Sequence, residues 1–223
     1  MYFFIISKMS LSQTNCKQIF REAYENRYTW PKDFRGYEGK CIFISEKKTY
    51  KGNFLVGKNF KPEIKNIPSE GISKLIESQL FEVVIHRIKR GFDEIHSKNN
   101  FQIELNNEKG IKMLVLGKNE GDKYRVKDNS INMVYRKMHG TIIEIFVEKF
   151  FDTGYGLLSK KYSSVQIDEQ TLEPKSQKFF YEDAFIDIGN NTWALSSRTI
   201  KSLSGSKEEK IDQYIFEEMY LLE

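Results

Sequence analysis

Apolar residues along the chain keep two different periods. Cys16, Ile19, Phe20, Ala23 and Tyr24 recur at i, i+3, i+4, i+7 and i+8, one face of a helix. Ser12, Thr14 or Asn15 is placed to cap it. Pro31 sets its limit, because proline disfavours helical geometry at the residue before it. A second stripe, Ile72, Leu75, Ile76, Leu80, Val83, Val84 and Ile88, follows the break at Asn66-Ile67-Pro68-Ser69-Glu70. Ser69 suits its N-cap and Glu70 its first turn. Arg87, Lys89 and Arg90 suit the last turn, and Gly91 suits its end. At ~1.5 Å per residue this helix is roughly 28 Å long, enough to cross most of a small sheet.

Elsewhere the period is two. Strands are predicted near 38–45, 49–56, 60–65, 101–105, 111–117, 122–128, 131–138, 141–151, 156–168, 177–188, 192–203 and 211–222, with glycine, proline and asparagine between them. Asp128-Asn129 and Gly189-Asn190-Asn191 tolerate positive φ and mark turns, and 204–209 reads as a loop. The last segment also fits helical spacing at Ile211, Tyr214, Ile215, Met219 and Leu222; a strand is the reading adopted. Successive hairpins make an antiparallel meander. The fold class is therefore α+β. The expected form is a large curved antiparallel meander, an open or incompletely closed barrel of about ten strands. The N-terminal helix and the one long helix pack on its concave side. No repeat or long linker divides it, so residues 10–223 are expected to form one domain. Residues 1–9 read as a non-native or disordered extension, with Met9 as the start. The opening apolar run is short, with no basic region before it and no small-residue cleavage site, so it makes a poor signal peptide.

Composition narrows the function classes. With 35 basic and 31 acidic residues the net charge is only +4, and the basic runs are short, so no nucleic-acid partner is expected. Cys16 and Cys41 have neither metal-ligand nor disulfide-framework spacing; a reducing, cytoplasmic setting fits them. No apolar run is long enough for a transmembrane helix, which leaves peripheral membrane contact as the remaining option.

Catalytic patterns are missing. His86, His96 and His139 have no metal spacing, and no metal or cofactor is expected. Asp152-Thr153-Gly154 resembles the aspartic-protease tripeptide, but no second copy supplies the partner carboxylate, so it reads as a turn. No G-x-S-x-G, phosphate-binding loop or dinucleotide fingerprint occurs. What stands out is the aromatic and arginine-rich block from Phe20 to Gly39. Tyr24, Arg27, Tyr28 and Trp30 are its candidate ligand or interface residues, and His86, Arg87 and Arg136 can add polar groups to a rim. The alternative is that the rings plug one end of the sheet as core material.

The blocks Arg21-Glu-Ala-Tyr-Glu-Asn-Arg-Tyr-Thr-Trp30, Ile85-His-Arg87, Lys123-Tyr-Arg-Val126, Asp152-Thr-Gly-Tyr-Gly156 and Glu182-Asp183 resemble a cyanobacterial and plastid family, domain of unknown function 3386. More distantly, the ending around Trp193 is similar in architecture to lipoprotein-carrier (LolA/LolB-like) folds, which hold acyl chains in an apolar cleft. The resemblance implies a non-enzymatic module holding a hydrophobic small molecule: a lipid, carotenoid or pigment precursor. The alternative it implies is an assembly factor in photosynthetic cells that meets a protein partner through the Arg21–Tyr37 patch.

Overall fold

The structure is a computed structural model that describes residues 13–203 and 209–223. Three helices, α1 (Gln13–Glu25), α2 (Glu70–Arg87) and α3 (Phe92–His96), accompany twelve strands. The strands are β1 (Tyr37–Ser45), β2 (Lys48–Val56), β3 (Pro62–Lys65), β4 (Asn99–Asn107), β5 (Gly110–Gly117), β6 (Lys123–Lys127), β7 (Ser130–Met138), β8 (Thr141–Asp152), β9 (Leu157–Asp168), β10 (Phe179–Asp187), β11 (Trp193–Leu203) and β12 (Glu209–Leu221). The expected extension at 1–9, the Ser12 cap and most of the loop after Leu203 lie outside the described residues.

All twelve strands join one antiparallel sheet in the order β3-β2-β1-β12-β11-β10-β9-β8-β7-β6-β5-β4. That is two more than the ten or so expected. The sheet is not closed, since β3 and β4 are its edges. The C-terminal segment is a strand and not a helix: β12 fits between β1 and β11, where it pairs on both sides. Most connections are hairpins. The exception leads from β3 to β4, at opposite edges, and it runs through α2 and α3. The 18 residues of α2 rise ~27 Å, so the connection travels over one face of the sheet.

That face is identified by register. Arg198 of β11 reaches Gln79 and Glu82 of α2, so it points to the helix side. Its partner Asp183 on β10 shares that side, as do Tyr181, Tyr162 opposite it on β9, and Val147 opposite Tyr162 on β8. Ile145 follows by the two-residue period, and its partner Val134 on β7 packs with the cluster under α1. All three helices therefore lie on one inner face.

Two separate cores fill that face. Ile76, Leu80, Val83 and Val84 of α2 pack with Tyr37, Cys41 and Phe43 of β1, Phe54 and Val56 of β2, and Tyr214 and Phe216 of β12. Cys16, Phe20, Ala23 and Tyr24 of α1 pack with Phe92 of α3 and with Phe101, Met113, Val115, Tyr124 and Val126 across β4–β6. Ile143, Ile145 and Val147 of β8 belong to neither and stay half-buried.

Two helix ends carry information. Ser69 caps α2 as expected, its hydroxyl accepting from the Ile72 N–H. The helix stops at Arg87, however, and not at Gly91. Trp30 N–H donates to the Arg87 carbonyl at 2.8 Å, and Ile88 turns extended. Gly91 instead precedes α3, the short helix that sequence periodicity did not reveal. Within the second core His96 is a structural residue. Asn99 Oδ1 accepts from the Asn119 N–H, so its amide nitrogen must donate, and it faces His96 Nδ1 at 3.0 Å. Nδ1 is thereby an acceptor and the ring is neutral. Burial holds the pKa of His96 down to about 4, with Arg27, Arg136 and Lys17 adding to the effect.

The Asp152–Gly156 segment is a turn, as predicted. Asp152 Oδ1 accepts from Gly154 N–H, and Thr153 Oγ1 accepts from Tyr155 N–H while donating to the Gly156 carbonyl. Gly156 has φ +135 and a Cβ there would meet Tyr28 N at 2.7 Å; Gly154 has φ +79 with open space around it. Gly156→Ala should thus cost about 3 kcal/mol or more, and Gly154→Ala about 1 kcal/mol, in urea unfolding. Equal costs would mean that the Tyr28 contact gives way freely. Acid should also weaken the fold. The folded pKa of His96 lies below the ordinary value of 6.5, so its contribution is complete above that value and is lost as pH falls toward 4. The amount is on the order of 3 kcal/mol. His96→Gln should reduce the slope of stability between pH 6.5 and 4 without abolishing it, because His86 is held down to about 4 as well, and an unchanged slope would assign the acid sensitivity elsewhere.

Candidate functional site

The seven residues singled out from sequence divide into two groups. Tyr24, Tyr28 and Trp30 face inward. Tyr24 packs on Phe20, Phe92 and His96, and its hydroxyl donates to the Arg90 carbonyl. Tyr28 is 1% exposed; its hydroxyl donates to the Asn191 carbonyl and accepts from the Trp193 N–H, both at 2.8 Å. Trp30 stacks on Phe34 at 4.2 Å and donates from its indole to the Trp193 carbonyl. These rings close the fold from within. Arg21, outside the group, pairs with Asp93.

Arg27, His86, Arg87 and Arg136 surround the inner-face strip left between the two cores. Arg27 lies over the Tyr24 ring at 3.7 Å and donates to the Tyr24 carbonyl. Arg136, directly opposite Ile143, sits 3.6 Å from Asp122, which also accepts from the Lys137 N–H. The His86 ring keeps exposed surface although protein atoms crowd it on several sides, as on the wall of a cleft. That crowding, with Arg87, Arg27, Arg136 and Arg198 around it, holds its pKa down to about 4. At neutral pH His86 is therefore uncharged.

The floor of the cleft is Ile143, Ile145 and Val147 on β8, bordered by Val134, Tyr162 and Ser164. The span from Ile143 to Val147 is ~13 Å. At its Val147 side stands a polar cluster that sequence reading missed. Arg198 and Asp183 form a bidentate pair, Nε to Oδ1 at 2.9 Å and Nη2 to Oδ2 at 2.7 Å, with side chains 5% and 3% exposed. Arg198 Nη1 also donates to Gln79 at 2.9 Å and to Glu82 at 3.3 Å. Tyr162 stacks parallel on Tyr181 at 4.6 Å and reaches Asp183. Burial pulls the Arg198 pKa down, but the neighbouring Tyr162, Asp183 and Glu82 outweigh it and raise it. Burial pushes the Glu82 carboxyl up against the pull of Arg198.

Arg87 is the contrast. Its guanidinium lies over the Phe185 ring at 5.7 Å and makes no hydrogen bond or ion pair among the described residues. Burial holds its pKa down to about 10, with Asp183 acting in the opposite direction and Arg198 adding to the fall; it remains charged at neutral pH. In the core under α2, Tyr37 packs on Trp30 and Phe54 and is fully buried, and its hydroxyl has no partner among the described residues. No group of three or more metal-ligating side chains occurs among the described residues, and no described helix is long and apolar enough to cross a membrane. A separate hollow of about 400 Å³ beside α1, lined by Ile19, Glu22, Asn107, Ile111, Val126 and Asn129, shares no residue with the cleft.

The Arg198–Asp183 pair should be essential as a pair and replaceable as a unit. Arg198→Ala is expected to destabilise by about 3–5 kcal/mol, because it strands a buried carboxylate. The double variant Arg198→Met/Asp183→Leu is expected to recover most of that loss, and urea unfolding of all three proteins checks it. Additive losses in the double variant would show that the two side chains act separately.

A search of curated proteins returns no match. Among solved structures the chain is similar to a LolA superfamily protein, NE2245, from Nitrosomonas europaea, at 9% identity over 93% of this chain and 94% of that one. The TM-score is 0.29, too low to equate the two folds. A family model described as "Protein of unknown function (DUF3386)" matches residues 11–222, and the protein belongs to that family.

Proposed function

We propose that this protein is a non-enzymatic binding module that holds an amphipathic, largely apolar small molecule in the cleft between its two cores. The observation that carries this reading is the uncovered floor: three branched apolar residues, Ile143, Ile145 and Val147, sit half-buried in the middle of an inner face otherwise filled by helices. Burying such a strip against a ligand needs no catalytic group. Each methylene removed from water contributes roughly 0.8 kcal/mol, so an eight-carbon stretch contributes about 6 kcal/mol before the entropic cost of ordering it. A lipid, carotenoid or pigment precursor would meet that requirement. The polar groups gather at the borders of the strip, as in a site that orients an apolar ligand by a few charged contacts.

The protein-interface alternative draws less support. The rings of the Arg21–Tyr37 block that an interface would use are turned into the core. His86, His96 and Asp152, the groups around which an enzyme would be sought, have separate surroundings: a cleft wall, a core amide and a surface turn.

Native mass spectrometry of protein purified from its own source, followed by organic extraction, tests the reading. A co-purifying apolar molecule is expected. Ile145→Trp, which fills the floor, should reduce its recovery several-fold while changing stability by less than about 1 kcal/mol. Repeated recovery of ligand-free wild-type protein would overturn the proposal.

A further inference from the structure

We infer that the ligand carries a carboxylate and that Arg87 is the seat of that head group. This inference rests on the cleft reading above and specifies it. Four arginines approach the cleft, and three have protein partners. Arg198 is held by Asp183, Gln79 and Glu82; Arg136 faces Asp122; Arg27 is spent on the Tyr24 carbonyl and ring. Arg87 has only the Phe185 ring. Asp183, the carboxylate whose charge reaches it, is already committed, since both its oxygens bond Arg198. A half-buried guanidinium with no ion-pair partner of its own is open to an arriving anion, which it can hold by charge-assisted hydrogen bonds.

The donor fits the ligand class: the planar fork of N–H groups on a guanidinium matches the two acceptor oxygens of a carboxylate. The position also suits an amphipath. Arg87 lies over Phe185, whose ring meets Phe151 of β8 at 5.9 Å, so a head group there leaves the tail running back along Val147, Ile145 and Ile143 of the same strand. Neutral His86 on the cleft wall adds no charge of its own at neutral pH.

The probes are hexadecanoate and hexadecanol, which share a tail and differ in the head, with acetate as the head alone. Binding is followed by tryptophan fluorescence, because Trp193 packs on Phe151 at 5.0 Å, next to Phe185 beneath Arg87. Wild-type protein is expected to bind hexadecanoate at least about tenfold more tightly than hexadecanol, the worth of a charge-assisted hydrogen bond. Arg87→Gln should abolish that preference and leave the alcohol's affinity unchanged, while Arg87→Lys should retain part of it. Ligand-free Arg87→Gln should also melt no lower than wild type, which separates a binding role from a structural one. If both amphipaths bind and the preference survives in Arg87→Gln, the cleft reading stands and the head-group assignment is overturned. If neither amphipath binds the wild type, both fall. Binding of acetate as tight as hexadecanoate would leave the anion site without a tail and overturn the carboxylated-amphipath class.

Discussion

The segment Asn26–Trp30 is the joint on which this architecture depends. A twelve-stranded open sheet is too wide for one helix, so its inner face is covered by two helix groups with separate cores. Something must fix their relative position, and five residues do. Leu157 N–H donates to the Asn26 carbonyl and Tyr28 N–H donates to the Leu157 carbonyl, which fastens the segment to the start of β9. Trp30 N–H donates to the Arg87 carbonyl and ends α2 there. The Tyr28 hydroxyl and the Trp30 indole bind the backbone at Asn191 and Trp193, where β10 turns into β11. One stretch of extended chain thus ties α1, α2, β9 and the β10–β11 turn together. Gly156 is required at the crossing because any side chain there would displace the Tyr28 backbone.

This joint explains the cleft. Holding the helix groups at fixed positions on either side leaves the stretch of β8 from Ile143 to Val147 outside both cores, although Phe151 and Leu158 further along β8 and β9 join the first. The floor residues are apolar because the strip must still exclude water partly, and half-buried because neither core reaches it. The aromatic block identified from sequence builds this arrangement from the inside, and its buried rings are the scaffold of the cleft.

Much of the fold was legible because strands and turns announce themselves locally. Asp128, Asn129, Asn190 and Asn191 do adopt positive φ, and Ser69 does cap the long helix. What local pattern left open or missed were features decided by distant parts of the chain. Ile211, Tyr214 and Ile215 suit two periods, and the choice is made by the gap between β1 and β11 that β12 fills. The end of α2 is fixed by Trp30, more than fifty residues away. The buried Arg198–Asp183 pair was hidden by one residue. Counting back from the Gly189–Asn191 turn places Ser197 opposite Asp183, but a bulge between Ala184 and Phe185 shifts the register so that Arg198 arrives there instead. Without that shift the guanidinium would lie on the other face. Arg87 was singled out from sequence as a polar group for a cleft rim, though not for its lack of a partner.

Arg198 and Arg87 then pose one question from two sides. They lie in the same cleft and feel each other's charge. Arg198 is surrounded by Asp183, Glu82, Gln79, Tyr162 and Tyr181, and its charge is fully answered within the chain. Arg87 has the Phe185 ring and no polar partner among the described residues. Packing does not explain the difference, since an apolar side chain would fill the space over Phe185 at lower electrostatic cost. Local choices that conflict with stability in an otherwise consistent structure are expected at functional positions. The consistency here is high: nearly every other buried polar side-chain atom among the described residues has a partner. Arg87, over Phe185 and beside the Phe151 end of β8, is the charged group at the apolar floor for which that accounting does not close.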